Sequence, residues 1–113
     1  MHVLVIDAIA PEGIGYLRER GFTVDEVSST LPREALLARL GDYEAIVTRS
    51  STTVTPEFLA HARRLRILGR AGVGVDNVDL EAATRAGIVV VNAPTGNTIA
   101  AAELTLALLF GLA

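Results

Sequence analysis

Ala45-Ile46-Val47-Thr48-Arg49-Ser50-Ser51-Thr52-Thr53-Val54-Thr55-Pro56-Glu57-Phe58-Leu59-Ala60-His61-Ala62-Arg63-Arg64-Leu65-Arg66-Ile67-Leu68-Gly69 is the stretch that decides the fold. Its first four residues form a short, continuous apolar run, the pattern of a strand covered on both faces. Thr55, Pro56 and Glu57 supply in turn an N-cap, a first helical residue and an acidic first turn. The helix they open carries Phe58, Leu59, Ala62 and Leu65 on its inner face. Arg66-Ile67-Leu68-Gly69 then reads as a second buried strand. Two such strands joined by a crossover helix pair in parallel.

The same alternation runs outward in both directions. Upstream, Val3-Leu4-Val5-Ile6 is a strand ending at Asp7, and Pro11-Glu12 opens a helix through Ile14 and Leu17 that Gly21 stops. Phe22-Thr23-Val24-Asp25-Glu26-Val27 alternates in polarity, as an edge strand with one wetter face would. Pro32, in a first-turn position, precedes Leu36, Leu37 and Leu40 at helical spacing, with Gly41 closing that helix. Downstream, Asp79 caps a short helix through Ala86, Gly87 stops it, and Ile88-Val89-Val90-Val91 is a fifth strand. A last helix starts near Thr98. Five βα units with short loops predict an α/β fold: a flavodoxin-like, doubly wound, five-stranded parallel sheet of order 2-1-3-4-5 with flanking helices. Residues 1–97 form that domain and 98–113 an apolar terminal helix.

Composition removes whole classes of chemistry. The 113 residues contain no Cys, so disulfides, thiol nucleophiles and Cys-containing zinc sites are excluded, and a reducing cytoplasm is the expected compartment. All ten basic residues are Arg, so an anion site must be built from guanidinium groups and backbone N–H groups. A net charge of −3 argues against nucleic acid as a partner. The amino-terminal Met1-His2-Val3-Leu4-Val5-Ile6-Asp7 lacks the basic region of a signal peptide. The apolar run 99–113 falls short of the roughly 20 residues a membrane span needs and contains Glu103. No membrane partner and no metal site are expected.

In doubly wound sheets, ligands bind beyond the carboxyl ends of the strands. Those ends hold Arg49-Ser50-Ser51 and Arg70-Ala71-Gly72-Val73-Gly74. Arg49 and Arg70 follow adjacent strands and can converge on one carboxylate or phosphate; the alternative is that they pair with Asp7, Asp76 or another local acid. Gly72-Val73-Gly74 can present successive N–H groups to an anion, or be only a tight turn. Asn77 stands where a dinucleotide fingerprint would have its third glycine, so these residues form no dinucleotide-phosphate loop. His61, beside Arg63, Arg64 and Arg66, reads as part of a solvated basic face rather than as a catalytic or nucleic-acid-binding group, and the hydroxyls of residues 50–53 can hydrogen-bond a ligand but need none to explain them. Glu103 either faces solvent or orients the loop before its helix. A phosphoacceptor receiver is excluded by a lone Asp7, by Arg49 at the phosphorylation position and by the absence of Lys. A flavin site is disfavoured by the acidic first loop, Asp7-Ala8-Ile9-Ala10-Pro11-Glu12.

Four strings, taken in order and spacing, carry a resemblance. They are residues 49–55 (RSSTTVT), 69–79 (GRAGVGVDNVD), 91–98 (VNAPTGNT) and 101–105 (AAELT). Together they resemble the amino-terminal part of the D-2-hydroxyacid dehydrogenases, in particular those acting on 3-phosphoglycerate, over essentially the whole chain. The resemblance implies the substrate-binding half of an NAD-dependent oxidoreductase that converts 3-phosphoglycerate to 3-phosphohydroxypyruvate on the phosphorylated route to serine. It implies that Arg49, Ser50 and Arg70 contact the substrate's phosphate or carboxylate and that Gly72, Val73 and Gly74 hold the carboxylate. It also implies that Val73, Asn97 and Glu103 lie toward the cofactor. Thr53 departs from the family, many of whose members carry Lys there, and this removes one positive charge from the implied site. The family's Gly-x-Gly-x-x-Gly loop and its catalytic Arg, Glu and His are not among these 113 residues. No NAD is expected bound to them, no catalytic residue is assigned, and dehydrogenase activity is not expected from them alone.

The alternative reading is a non-catalytic flavodoxin-like structural or small-anion-binding module, such as an engineered isolated half. Under either reading, the helix at 98–113 is apolar on all sides. Self-association, or a dimer that exchanges this helix, is the expected way to cover it.

Overall fold

The computed structural model describes residues 2–7, 11–28, 30–49, 51–71 and 77–93. The elements along the chain are β1 (His2–Ile6), α1 (Pro11–Glu19), β2 (Thr23–Val27), α2 (Arg33–Arg39), a 3₁₀ turn (Leu40–Asp42) and β3 (Ala45–Thr48). They continue with α3 (Pro56–His61), β4 (Ile67–Ala71), α4 (Leu80–Arg85) and β5 (Val89–Ala93). The five strands form one sheet of order β2-β1-β3-β4-β5, with every pairing parallel, as the alternation predicts. The expected helix at 98–113 lies outside the described residues.

Strand alternation sorts the core into two layers. Val3, Val5, Ala45, Val47 and Ile67 pack with Ile14 and Leu17 of α1. Leu4, Ile6, Ile46 and Leu68 face the other way, onto α2, α3 and α4 through residues that include Leu36, Phe58 and Ala83. A central strand buried on both faces must be apolar throughout, which is why Val3, Leu4, Val5 and Ile6 are all fully buried. β2, at the sheet edge, alternates between buried Val24 and exposed Thr23 and Glu26.

The stop and start signals act as their chemistry requires. Gly21 ends α1 at φ +87°, a conformation that only glycine adopts without strain. The Thr55 and Asp79 side chains cap α3 and α4 by accepting from the N–H groups of Phe58 and Ala82.

Several boundaries differ from the sequence reading. Pro32 is the N-cap of α2, its ψ of 140° being extended, and the helix closes through a 3₁₀ turn that includes Gly41. α3 ends at His61, so Leu65 lies beyond it, yet Leu65 is still buried. β4 and β5 run two residues past the expected 66–69 and 88–91. The ladder continues because Arg70 pairs with both Thr48 and Asn92. Among the described residues, no helix is long and apolar enough to cross a membrane.

Candidate functional site

The extension of β4 changes the status of Arg70. It is a strand residue, only 6% exposed, and its backbone is registered against Thr48 of β3. Alternation places its side chain on the same sheet face as Leu68, toward α4. Arg49 is the first residue past β3 and is exposed. One arginine is therefore anchored in the sheet while its neighbour sits at the rim, one strand over and one residue further out.

Asn77 joins them. Its Oδ1 accepts from Arg70 Nε at 2.6 Å, and its Nδ2 donates to the carbonyl oxygens of Arg49, at 3.1 Å, and Thr52. Its own carbonyl accepts from Val54 N–H at 2.7 Å, and Asp79 N–H donates back to the Val54 carbonyl at 2.9 Å, forming a parallel bridge between Val54 and Val78. A single half-buried amide thus ties the loop after β3 to the loop after β4. By occupying Nε it also fixes the plane of the Arg70 guanidinium.

The remaining rim is hydroxyl-rich. Ser51 donates to the Asp7 carboxylate, and Asp7 itself sits at φ +67° with its N–H on the Val27 carbonyl. The left-handed backbone at Asp7 is tolerated because a short polar side chain can bond locally there. Thr48 and Thr52 are almost fully buried, and neither hydroxyl has a hydrogen-bond partner among the described residues. Of these two, Thr48 precedes Arg49 in sequence and is registered against Arg70, so one hydroxyl without a partner among the described residues lies beside both arginines.

Of the residues expected to form the site, Arg49 and Arg70 are brought together at the carboxyl edge. Ser50, Gly72, Val73, Gly74, Asn97 and Glu103 lie outside the described residues, as does Asp76. Of the expected solvated face, His61, Arg63 and Arg64 are exposed and Arg66 is half-buried, and the His61 ring bonds the Glu57 carbonyl. In the sequence Asn77 reads only as a missing glycine, and nothing local to it signals its role as the hub of the site. Among the described residues, no cluster of three or more His, Asp or Glu side chains could hold a metal ion.

Residues 3–108 match the family described as D-isomer specific 2-hydroxyacid dehydrogenase, catalytic domain. The chain belongs to that family. Over its full length it is 52% identical to the D-3-phosphoglycerate dehydrogenase of Archaeoglobus fulgidus and spans 21% of that protein. It is 47% identical to the human enzyme of the same name over 98% of this chain and 21% of that one. This 2-hydroxyacid dehydrogenase family member therefore spans about a fifth of the length of the curated relatives it matches. Among solved structures, a Thermus thermophilus protein superposes with a TM-score of 0.77 at 36% identity, over all of this chain and 37% of that one. A cofactor-bound (NAD+) 3-phosphoglycerate dehydrogenase of Entamoeba histolytica gives 0.72 at 28% identity, over 81% and 32% of the two chains.

Proposed function

We propose that these residues are the substrate-holding part of an enzyme that oxidises 3-phosphoglycerate to 3-phosphohydroxypyruvate, with Arg49 and Arg70 receiving the substrate's anionic groups. The observation that carries the reading is the Asn77 bridge, which fixes one guanidinium and the backbone of the other arginine at the carboxyl edge of β3 and β4. The anion takes the Nη edge of Arg70, exchanging with the contacts that hold this side chain in the ligand-free chain. Ser50 and the N–H groups of the Gly72, Val73 and Gly74 turn complete the cradle. The curated relatives named for this activity, at about half identity over the whole chain, support the choice of substrate.

Oxidation of the 2-hydroxyl requires that a hydride leave C2 and a proton leave the oxygen, and in this reaction the hydride acceptor is NAD. Among the described residues the strand ends offer arginines and hydroxyls, a set suited to an anionic substrate. Contacts with the nicotinamide side fall to Val73, Asn97 and Glu103. Residues 1–97 form the substrate domain, and 98–113 the apolar helix that leads to the cofactor side or, on its own, to self-association. A reducing cytoplasm suits a chain without Cys.

The test is calorimetric titration of 3-phosphoglycerate into the wild-type chain and into Arg70→Met. Saturable binding that weakens at least tenfold in the variant supports the reading. Equal affinity, or no binding at millimolar ligand, overturns it in favour of a structural module.

A further inference from the structure

A cavity of about 220 Å³ opens beside the loop between β3 and α3, lined by Leu31, Arg33, Leu36, Ser51, Thr52 and Thr53. Arg33, the first residue of α2, reaches across it. Its Nη1 donates to the Thr53 carbonyl at 3.0 Å and its Nη2 to Thr55 Oγ1 at 3.1 Å, and its guanidinium carbon sits 5.7 Å from the centre of the Phe58 ring. An exposed arginine held at three points has already lost much of the rotamer freedom that ligand binding would otherwise cost. These two bonds use two of the five N–H groups a guanidinium carries. Besides Leu31 and Leu36, the lining contributes hydroxyl residues: Thr53 is exposed, the Thr52 hydroxyl is buried, and Ser51 is engaged with Asp7. Among the described residues, the lining contains no acidic side chain.

The cavity is continuous in sequence with the arginine site. The loop that begins at Arg49 is held on one side by Asn77, through the Arg49 and Thr52 carbonyls, and on the other by Arg33, through Thr53 and Thr55. The same loop therefore borders both the arginine pair and this cavity.

Resting on the substrate reading above, we propose that Arg33 is the specificity-determining cation for the phosphate end of the substrate. The phosphate monoester dianion enters this cavity, takes N–H groups from Arg33 and the hydroxyl hydrogen of the exposed Thr53, and so separates phosphorylated from unphosphorylated 2-hydroxyacids. Fork-shaped, permanently charged donors suit a phosphate better than a point charge does.

The experiment compares 3-phosphoglycerate with D-glycerate, which lacks only the phosphoryl group, on wild type, Arg33→Gln and Arg33→Lys, each first shown to fold by circular dichroism. Wild type should prefer 3-phosphoglycerate at least tenfold. Arg33→Gln should lose that preference with less than a twofold change for glycerate, and Arg33→Lys should recover part of it. If Arg33→Gln weakens both ligands equally, Arg33 only braces the loop; if it weakens neither, the cavity takes nothing; either result overturns the proposal. A parallel NMR titration with inorganic phosphate keeps the two claims apart. Shifts at Arg33 and Thr53, without 3-phosphoglycerate binding at Arg70, would sink the substrate reading and leave the cavity as an anion site. No shift at Arg33 overturns the cavity.

Discussion

Replacing Asn77 with Ala should be the most damaging change available at the rim of the sheet. The substitution removes three side-chain hydrogen bonds at once: one from Arg70 Nε and two to the carbonyls of Arg49 and Thr52. A bond to a charged group contributes about 1.5–3 kcal/mol and a neutral one about 0.5–1.5 kcal/mol. The gross loss is therefore about 2.5–6 kcal/mol. Water can reach the Arg49 side of the bridge, where the residue is exposed, but not the buried Arg70 as easily. A net cost of about 2–4 kcal/mol follows, within the total stability of about 5–15 kcal/mol of an ordinary domain, so the variant remains folded but weakened. Urea unfolding followed by circular dichroism measures it. With a slope of about 1.5 kcal/mol per molar urea, the midpoint should fall by roughly 1.3–2.7 M. Asn77→Asp is the informative companion. It keeps an acceptor for Arg70 but sets a carboxylate oxygen against two carbonyls, so it should be about as unstable as Ala and should bind anions more weakly, because its charge neutralises the guanidinium. A cost below about 0.5 kcal/mol for Asn77→Ala would refute the claim that this amide ties the two loops together.

Three further outcomes follow from the packing and the buried polar groups. Phe58 is fully buried beneath the Arg33 guanidinium, and Phe58→Ala should cost about 3–5 kcal/mol in the same urea assay; a loss under about 1 kcal/mol would contradict its place in the core. The Thr48 hydroxyl is buried without a partner among the described residues, so Thr48→Val should raise stability by about 1 kcal/mol, and a clear loss would mean that the hydroxyl is satisfied after all. Burial, and then the hydrogen bond it donates to Asp25 Oδ2, raise the Tyr43 phenol above its ordinary value of 10.0. As pH rises, the unfolded chain therefore loses this proton first, so stability is full below about pH 10 and falls as pH climbs past it toward the raised folded value. Tyr43→Phe should flatten that decline, and an unchanged alkaline profile would show that Tyr43 does not cause it.

Most of the fold is legible in the sequence because it rests on local signals. Continuous apolar runs mark the strands buried on both faces, and Gly21, Thr55-Pro56 and Asp79 mark the ends of helices by chemistry confined to one turn. The polar alternation of 22–27 correctly announces an edge strand. The differences lie where tertiary pairing overrides local preference. Arg70 reads as a loop residue, because a charged side chain is a poor strand former, yet its neighbours Thr48 and Asn92 extend the ladder around it. Asn77 is legible only as the wrong residue for a nucleotide loop. Its partners lie 7, 25 and 28 residues away, and no periodicity reports a side chain whose function is to bridge two loops. Arg33 escapes notice for the same reason, since its contacts are 20 and 22 residues distant. The two arginines of the proposed site can be found because this architecture keeps its ligands at the carboxyl edge, where adjacent strands end.

Backbone amide NMR of the chain during titration with 3-phosphoglycerate tests the central claim most directly. The account predicts saturable shifts concentrated at the carboxyl edge, at Arg49, Thr52, Arg70 and Asn77, with the exposed face around His61 and Arg63 unmoved. Shifts centred on that exposed basic face, or spread evenly over the arginines without saturation, would contradict it.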